Sequence, residues 1–311
     1  MTIEPPGASE PRRPHGPRDA GDAWVIAPSG ERYWGRFGAA GLLAVDPARG
    51  VLLQHRVSWS HFGGTWALPG GARHEGESAI AGALREAQEE AGVPDAATTP
   101  RVVSVLDLGF WSYATVVADV MVPFDPVISD PESYELTWVP IDDVDSYPLH
   151  PGFAAAWPAL RSMLSVTPAV VVDMANVMGS VPDGWWKDRA GAASRWLERM
   201  DALVEWGVDA AALGLAGGTW FPRWSVVVEG QARDVRAAAS RTAGRGYAGG
   251  DVHVVSAAGS GDDEIVAEVA RRLDAGDTVT VVTSDRELAT RVEALGAGVR
   301  GARWLRELLE A

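Results

Sequence analysis

Cysteine is absent from all 311 residues, which excludes disulfides, thiolate nucleophiles and cysteine-based zinc sites. That absence is compatible with a reducing cytoplasm. No uninterrupted apolar run approaches the ~18 residues that a membrane-crossing helix needs, so no membrane partner is expected. The stretch from Met1 to Ala23 is rich in Pro, Gly and charge. It lacks the apolar segment of a secretory leader, and residues 1–22 read as a disordered tail. Positive charge is in short supply: 27 Lys and Arg stand against 42 Asp and Glu, a net charge of −15. Such a balance argues against broad, non-specific adhesion to nucleic acid or anionic membrane, while leaving room for a local basic groove. Beyond the tail there is no low-complexity tract and no internal repeat.

What is present divides the chain in two, as its length suggests at ~150 residues per domain. Gly35 to Val45 and Gly50 to Val57 read as strands joined by the turn Asp46-Pro47-Ala48-Arg49. Trp66-Ala67-Leu68-Pro69-Gly70-Gly71 then leads into an apolar-periodic run from Ser78 to Ala91, a helix stopped by Gly92. On that helix Glu86, Glu89 and Glu90 stand at i, i+3 and i+4, so their carboxylates share one face. Three anions so close repel unless a cation neutralises them, and hard divalent cations take oxygen ligands. Ala79, Ala83 and Ala87 form another stripe, small enough to pack tightly on a sheet. Runs with strand character follow at 101–108, 113–122 and 135–139, and a helix at 152–165 ends the first domain.

Gly71, Glu77, Arg85-Glu86, Glu89-Glu90 and Gly92, with Ala87 and Val93 in the aliphatic slots, reproduce the signature box of the Nudix (MutT-like) hydrolases. At ~7% per residue type, seven fixed positions match by chance on the order of once in a hundred million windows. The segment is identified on this basis as a Nudix box, and the resemblance implies an α/β/α sandwich over residues 23–166. It also implies Mg²⁺ or Mn²⁺ held by Glu86, Glu89 and Glu90, and a nucleoside diphosphate linked to a variable group as substrate. Arg85 would orient a box glutamate and Glu77 would support the loop. The family often recruits a late-strand glutamate to the metal or the water; Glu132 is the candidate here and Glu135 the alternative. The ADP-ribose subgroup usually carries a proline some fifteen residues beyond its box. Leu108-Gly109-Phe110-Trp111 occupies that region, which disfavours that subgroup.

Thr167-Pro168 marks the boundary, and from there strands and helices alternate, the pattern of a parallel sheet flanked by helices. Strands are expected at 169–172, 224–228, 252–255 and 278–283, with helices at 188–206 and 262–273 and from Asp285 and Arg303. Ligands of open α/β sheets bind beyond the carboxyl ends of the strands. Asp173 with Asn176, Asp262-Asp263 and Asp285 all fall there. Taken singly, Asp262 could be a helix N-cap, Asp285 a first-turn residue and Asp173 a turn former. Taken together, Val171-Val172-Asp173-Met174-Ala175-Asn176, Gly261-Asp262-Asp263 and Thr283-Ser284-Asp285 resemble the acidic motifs of NYN domains, PIN-like ribonucleases related to the YacP group. That resemblance covers roughly residues 169–310 of a domain at 167–311. It implies a metal site at Asp173, Asn176, Asp262, Asp263 and Asp285, with Asp173 and Asp285 catalytic, and single-stranded RNA as partner.

From Thr219 to Gly250, Arg223, Arg233, Arg236, Arg241 and Arg245 outnumber Glu229 and Asp234 by three. Trp185-Trp186-Lys187-Asp188-Arg189 interleaves aromatics with cations, as a single-strand stacking surface would. Two other readings stay open at this point. A nucleotide-sensing first domain could regulate the nuclease, or an active first domain could carry a non-catalytic RNA-binding or dimerisation module. Oligomeric state is not legible in the sequence.

Overall fold

The computed structural model describes residues 1–6, 19–182, 184–235 and 252–310. Of the described residues, one compact unit holds 1–163 and 216–219, and a second holds 164–215, 220–235 and 252–310. No helix among the described residues is long and apolar enough to cross a membrane.

The first unit opens with a small antiparallel sheet of β1 (Thr2–Glu4), β2 (Trp24–Ile26) and β3 (Arg32–Trp34). The expected disordered tail therefore does not hold at its start, because Thr2–Glu4 pair with Trp24–Ile26; residues 7–18 lie outside the described residues. Trp24 packs edge-on against Trp34, ring centroids 4.9 Å apart, which gives so short a sheet an apolar anchor.

The main sheet combines β4 (Ala39–Asp46), β5 (Gly50–Arg56), β8 (Thr98–Asp107), β9 (Ser112–Val120) and β10 (Ser133–Val139), in the order β10-β5-β4-β9-β8. Two short strands, β6 (Trp66–Ala67) and β7 (Gly70–Ala72), pair with β5 and β4 respectively. The β4–β9 pair is parallel and the rest of this sheet is antiparallel, so β4 sits in the middle and is buried along its whole length. The Asp46 carboxylate makes the β4–β5 turn by accepting the amides of Ala48 and Arg49. Helix α1 (Ala79–Ala91) lies on β4, β7 and β9. Its contact stripe is Ala83, Ala87 and Ala91, all fully buried, which lets the backbones approach closely. Helix α2 (Pro151–Leu164) buries Phe153, Trp157, Leu160 and Met163, a helical repeat of one apolar face.

The second unit is a five-stranded, wholly parallel sheet. Its strands are β11 (Pro168–Asp173), β12 (Arg223–Val228), β13 (Val252–Ser256), β14 (Thr278–Val282) and β15 (Gly298–Arg300), in the order β13-β12-β11-β14-β15. The order reverses between β11 and β14, so the crevice above their carboxyl ends is where a ligand belongs in such a sheet. Period-two alternation gives each face a core. Val170 and Val172 join Trp224, Val226 and Val228 under α3 (Met174–Gly179), α4 (Arg189–Trp206) and α7 (Ala302–Glu310). Ala169 and Val171 face α5 (Gly261–Asp274) and α6 (Arg286–Glu293) with Ile265, Val269, Leu288 and Val292.

One buried charge fixes α5 on the sheet. Glu268 is 3% exposed and accepts hydrogen bonds from the Ser225 hydroxyl, from Arg271 and from Arg272, which also donates to Ser225 Oγ. Burial alone would raise its pKa, but these donors outweigh it and hold the carboxyl below its ordinary value of 4.5. The stabilisation is thus fully present above about pH 4.5 and is lost as pH falls through the lower folded value. Glu268→Ala strands two arginines and a serine, and is expected to cost about 3–5 kcal/mol. Urea unfolding at neutral pH checks this, and the deficit should narrow near pH 3.

Candidate active sites

In the first unit the signature helix starts and stops where its sequence demands. The Ser78 hydroxyl caps the amide of Ala81, and Gly92, at φ 63°, closes the other end with its amide on Gln88 and Ala87 carbonyls. Of the three glutamates, Glu86 and Glu90 are buried, at 1% and 2% exposure, while the Glu89 side chain is 46% exposed. Glu90 Oε2 accepts the Gly70 amide at 2.9 Å. That approach depends on glycine, since a Cβ at position 70 would lie 2.5 Å from Gly41 Cα and 2.6 Å from the Ala40 carbonyl oxygen. Arg85 grips Glu77 with two parallel bonds, from Nε and Nη2, each 2.9 Å. Its Nη1 donates to Glu86 Oε1 at 2.8 Å and lies 3.6 Å from Glu89 Oε2, while Nη2 also reaches the Ala72 carbonyl. Glu77 in turn accepts the His74 amide at 2.9 Å and so closes the loop before the helix.

These bonds assign Arg85 and Glu77 to orientation. One guanidinium reaches three carboxylates, with its bidentate bond on Glu77. Tyr113 on β9 is half-buried; burial above all, and then the charges of Glu90 and Glu86, push its phenol pKa up, while Arg56 opposes them. Tyr113 and Arg56 thus border the box, and sequence reasoning missed both. Arg56 ends β5 and buries an Nε with no hydrogen-bond partner among the described residues. By donor chemistry and by charge the three glutamates fit a hard divalent cation. No group of three or more His, Cys, Asp or Glu among the described residues is already arranged as a metal cage.

Glu132 sits half-buried in the loop before β10, where its carbonyl accepts the Val57 amide. The same loop docks on the end of α1, through Val127 N–H to the Ala91 carbonyl and Ser129 N–H to that of Glu90. Glu135 is exposed on β10, opposite His55. The loop route favours Glu132 of the two.

Aromatic rings and histidines gather beside β5 and β6: His55 stacks on Trp66 at 4.7 Å, and Phe62 meets His150 edge-on at 4.8 Å. Burial first, then the charges of Arg56 and His61, pull the His150 pKa down to about 4. Its Nδ1 accepts the Gly152 amide, a bond that protonation would abolish. Because the folded value lies below the ordinary ~6.5, stability is full above that pH and is lost as pH falls toward 4. Discounted for partial exposure, the loss is on the order of 1 kcal/mol. His150→Gln should flatten this limb of a stability–pH profile followed by urea unfolding.

In the second unit, Asp173, Asn176, Asp262 and Asp285 line one cavity of about 180 Å³ at the switch in strand order. Asp173 ends β11 and is 8% exposed; its Oδ1 caps α3 at the Asn176 amide and its Oδ2 accepts the Thr283 hydroxyl. Asn176 Oδ1 accepts the Ser284 amide, which ties the ends of β11 and β14 together. Asp285 caps α6 at Glu287 and Leu288, so capping and site placement coincide in one residue. Burial, then Asp262 and Glu229, push Asp173 up against the pull of its hydrogen bonds; Asp262 is raised by burial, then Asp285 and Glu229. The carboxylates therefore sense one another.

Two corrections follow. Asp263 does not join the cluster: its side chain is 72% exposed and bonds Arg291 at 2.6 Å. Glu229, which sequence reasoning counted only as charge, lines the cavity and accepts the Gly261 amide at 3.0 Å. Its position directly after β12 was the available signal. Of the arginines expected to form a basic stretch, Arg223 pairs with Asp277 and Arg233 bonds the Gly259 carbonyl. Arg236, Arg241 and Arg245 lie outside the described residues.

The NUDIX domain family matches residues 35–162, the stretch that holds this box and its sheet. The chain belongs to the Nudix family, and its first unit is a Nudix hydrolase domain. Putative 8-oxo-dGTP diphosphatase 3 of Mycobacterium tuberculosis is 46% identical over 166 residues, 50% of this chain and 76% of that protein. A nucleoside triphosphate pyrophosphatase/Nudix hydrolase fusion protein of Bifidobacterium longum is 42% identical over 157 residues, 46% of this chain and 32% of that one. Among solved structures, the Nudix hydrolase RenU of M. smegmatis is 49% identical, covering 47% of this chain and 96% of its own, with a TM-score of 0.43.

Proposed function

We propose that the first unit hydrolyses a phosphoric anhydride bond of a nucleoside di- or triphosphate derivative with Mg²⁺ or Mn²⁺ held by Glu86, Glu89 and Glu90. The observation that carries this reading is the pair of buried carboxylates, Glu86 and Glu90, on one helix face with Glu89. When bound, the cation supplies Lewis-acid stabilisation of the charge that develops on the phosphate oxygens. Arg85 fixes the Glu86 carboxylate, and the Gly70 amide fixes that of Glu90. Water adds to phosphorus as the bridging P–O bond breaks, and a box glutamate or Glu132 takes the proton. Arg56, with its buried Nε, supplies a fixed positive charge beside the site. The M. tuberculosis relative at 46% identity is named an 8-oxo-dGTP diphosphatase, which makes oxidised deoxynucleoside triphosphates the first compounds to try.

The second unit is proposed to be an NYN-type ribonuclease. Asp173, Asp262, Asp285 and Glu229 would hold its divalent cations, with Asn176 positioning the β14 end. The support is four carboxylates converging on one cavity where the strand order reverses. A phosphate- and pyrophosphate-release screen with the full chain tests the first activity. It should include 8-oxo-dGTP, dGTP, nucleoside diphosphate sugars and capped RNA, each with Mg²⁺ and Mn²⁺. Release from none of them would overturn the Nudix reading.

A further inference from the structure

Beside the acidic cavity a second one, of about 140 Å³, opens on the same edge of the sheet and shares Ala175 and Glu229 with it. Its character is different. Met174 and Met178, at 0% and 3% exposure, belong to the core beneath it and close its floor. Trp185, half-buried, forms one wall, and the Arg189 guanidinium lies 5.1 Å from its ring centroid and lines the same space. The wall is built by the local chain: Gly184, at φ 85°, turns into the short 3-10 stretch Trp185–Lys187, and Asp188 then caps α4 at the Gly191 amide. Arg189, the first residue of α4, is thereby held against the ring.

We infer that this cavity is a nucleobase subsite for a single-stranded RNA whose phosphate is presented to the acidic cluster; the inference rests on the ribonuclease reading of that cluster. A planar ring is the shape that stacks on an indole, and every base has such a face. Arg189 adds a cation that stacks on a ring and pairs with a phosphate. The shared residues set the geometry: a ring filling this cavity leaves its attached sugar-phosphate at the Glu229 and Ala175 boundary, beside Asp173, Asp262 and Asp285. A phosphate without a ring would leave the space beside Trp185 unfilled. Trp186, at 55% exposed, is outside the cavity and serves as an internal control.

The test uses the full chain and a labelled oligoribonucleotide with a 5′-hydroxyl end, which offers no diphosphate to the Nudix unit. Binding is read by fluorescence anisotropy in Ca²⁺, and cleavage is followed in parallel in Mn²⁺. Trp185→Ala and Arg189→Gln should each raise Kd by about tenfold or more, the scale of one lost base stack. Trp185→Phe should stay within a few-fold of wild type, as should Trp186→Ala. The phenylalanine variant separates loss of stacking from loss of folding, and melting curves accompany each variant. Wild-type Kd values for both Trp185→Ala and Arg189→Gln overturn the subsite, and so does a wild-type protein that binds no oligonucleotide. Cleavage that persists with unchanged Kd and cut position in Trp185→Ala overturns the subsite and leaves the ribonuclease standing. Trp185-dependent binding with no cleavage by wild type does the reverse.

Discussion

Glu90→Gln is expected to lower Nudix turnover by about 10²–10⁴-fold while leaving the melting temperature near that of the parent. Glutamine keeps the shape of the side chain and an oxygen to accept the Gly70 amide, so the close approach of β7 to the helix survives. What it removes is one negative charge from the helix face that carries Glu86 and Glu89. Glu89→Gln should act in the same direction, and because Glu89 is exposed it should do so with no cost in stability. Arg85→Gln would behave differently. It breaks the bidentate grip on Glu77 and strands the buried Glu86, so turnover and melting temperature fall together. Steady-state rates with thermal melts on the same preparations separate the two behaviours. Turnover of Glu90→Gln and Glu89→Gln within a few-fold of the parent would remove both residues from the cation site.

Much of this architecture is legible in the sequence because local signals agree with the fold. Ser78 and Gly92 bracket α1, the turn at Asp46 joins β4 to β5, and the all-apolar Val170-Val171-Val172 has no polar face because both of its sides are covered. Illegible parts have equally local causes. Helix α3 spans six residues, too few for a periodic pattern, and its N-cap is Asp173 itself, so the same carboxylate reads as turn former or ligand. The Thr2–Glu4 strand is exposed along its length and carries no alternation; only its pairing with Trp24–Ile26 gives it form.

The sites divide in the same way. The box glutamates are fixed by helix geometry, which sequence spacing reports directly. Asp262 and Asp263 are neighbours on a helix and point about 100° apart. Which of them reaches the cavity depends on Arg291, twenty-eight residues on, holding Asp263 outside. Glu229 directly follows a strand, and Tyr113 and Arg56 lie within or end one, that no motif marks, and they meet the other groups only when the sheets form.

Asp173→Asn should abolish metal-dependent RNA cleavage by the second unit and should also erase most of the stabilisation that divalent metal confers there. Measured on a Glu90→Gln background, the metal increment is less confounded by the Nudix site. A cation at one hundred times its Kd stabilises the state that binds it by about 2.7 kcal/mol, and the increment disappears with the affinity. Asparagine can still accept the Asn176 amide and so keep the cap of α3. Its amide nitrogen would then face Thr283, whose hydroxyl can rotate to accept. Charge is what goes, and the charge is costly without metal: burial and the neighbours Asp262 and Glu229 together drive the Asp173 carboxyl toward its neutral form. The metal-free variant should therefore melt at or above the temperature of the metal-free parent, whereas a residue that served only as a cap would lower it. RNA cleavage in Mn²⁺ and melting curves with and without Mn²⁺ decide the matter. A variant that melts lower than its parent, with an undiminished metal increment, would reduce Asp173 to the N-cap of α3 and leave the acidic cavity without catalytic standing.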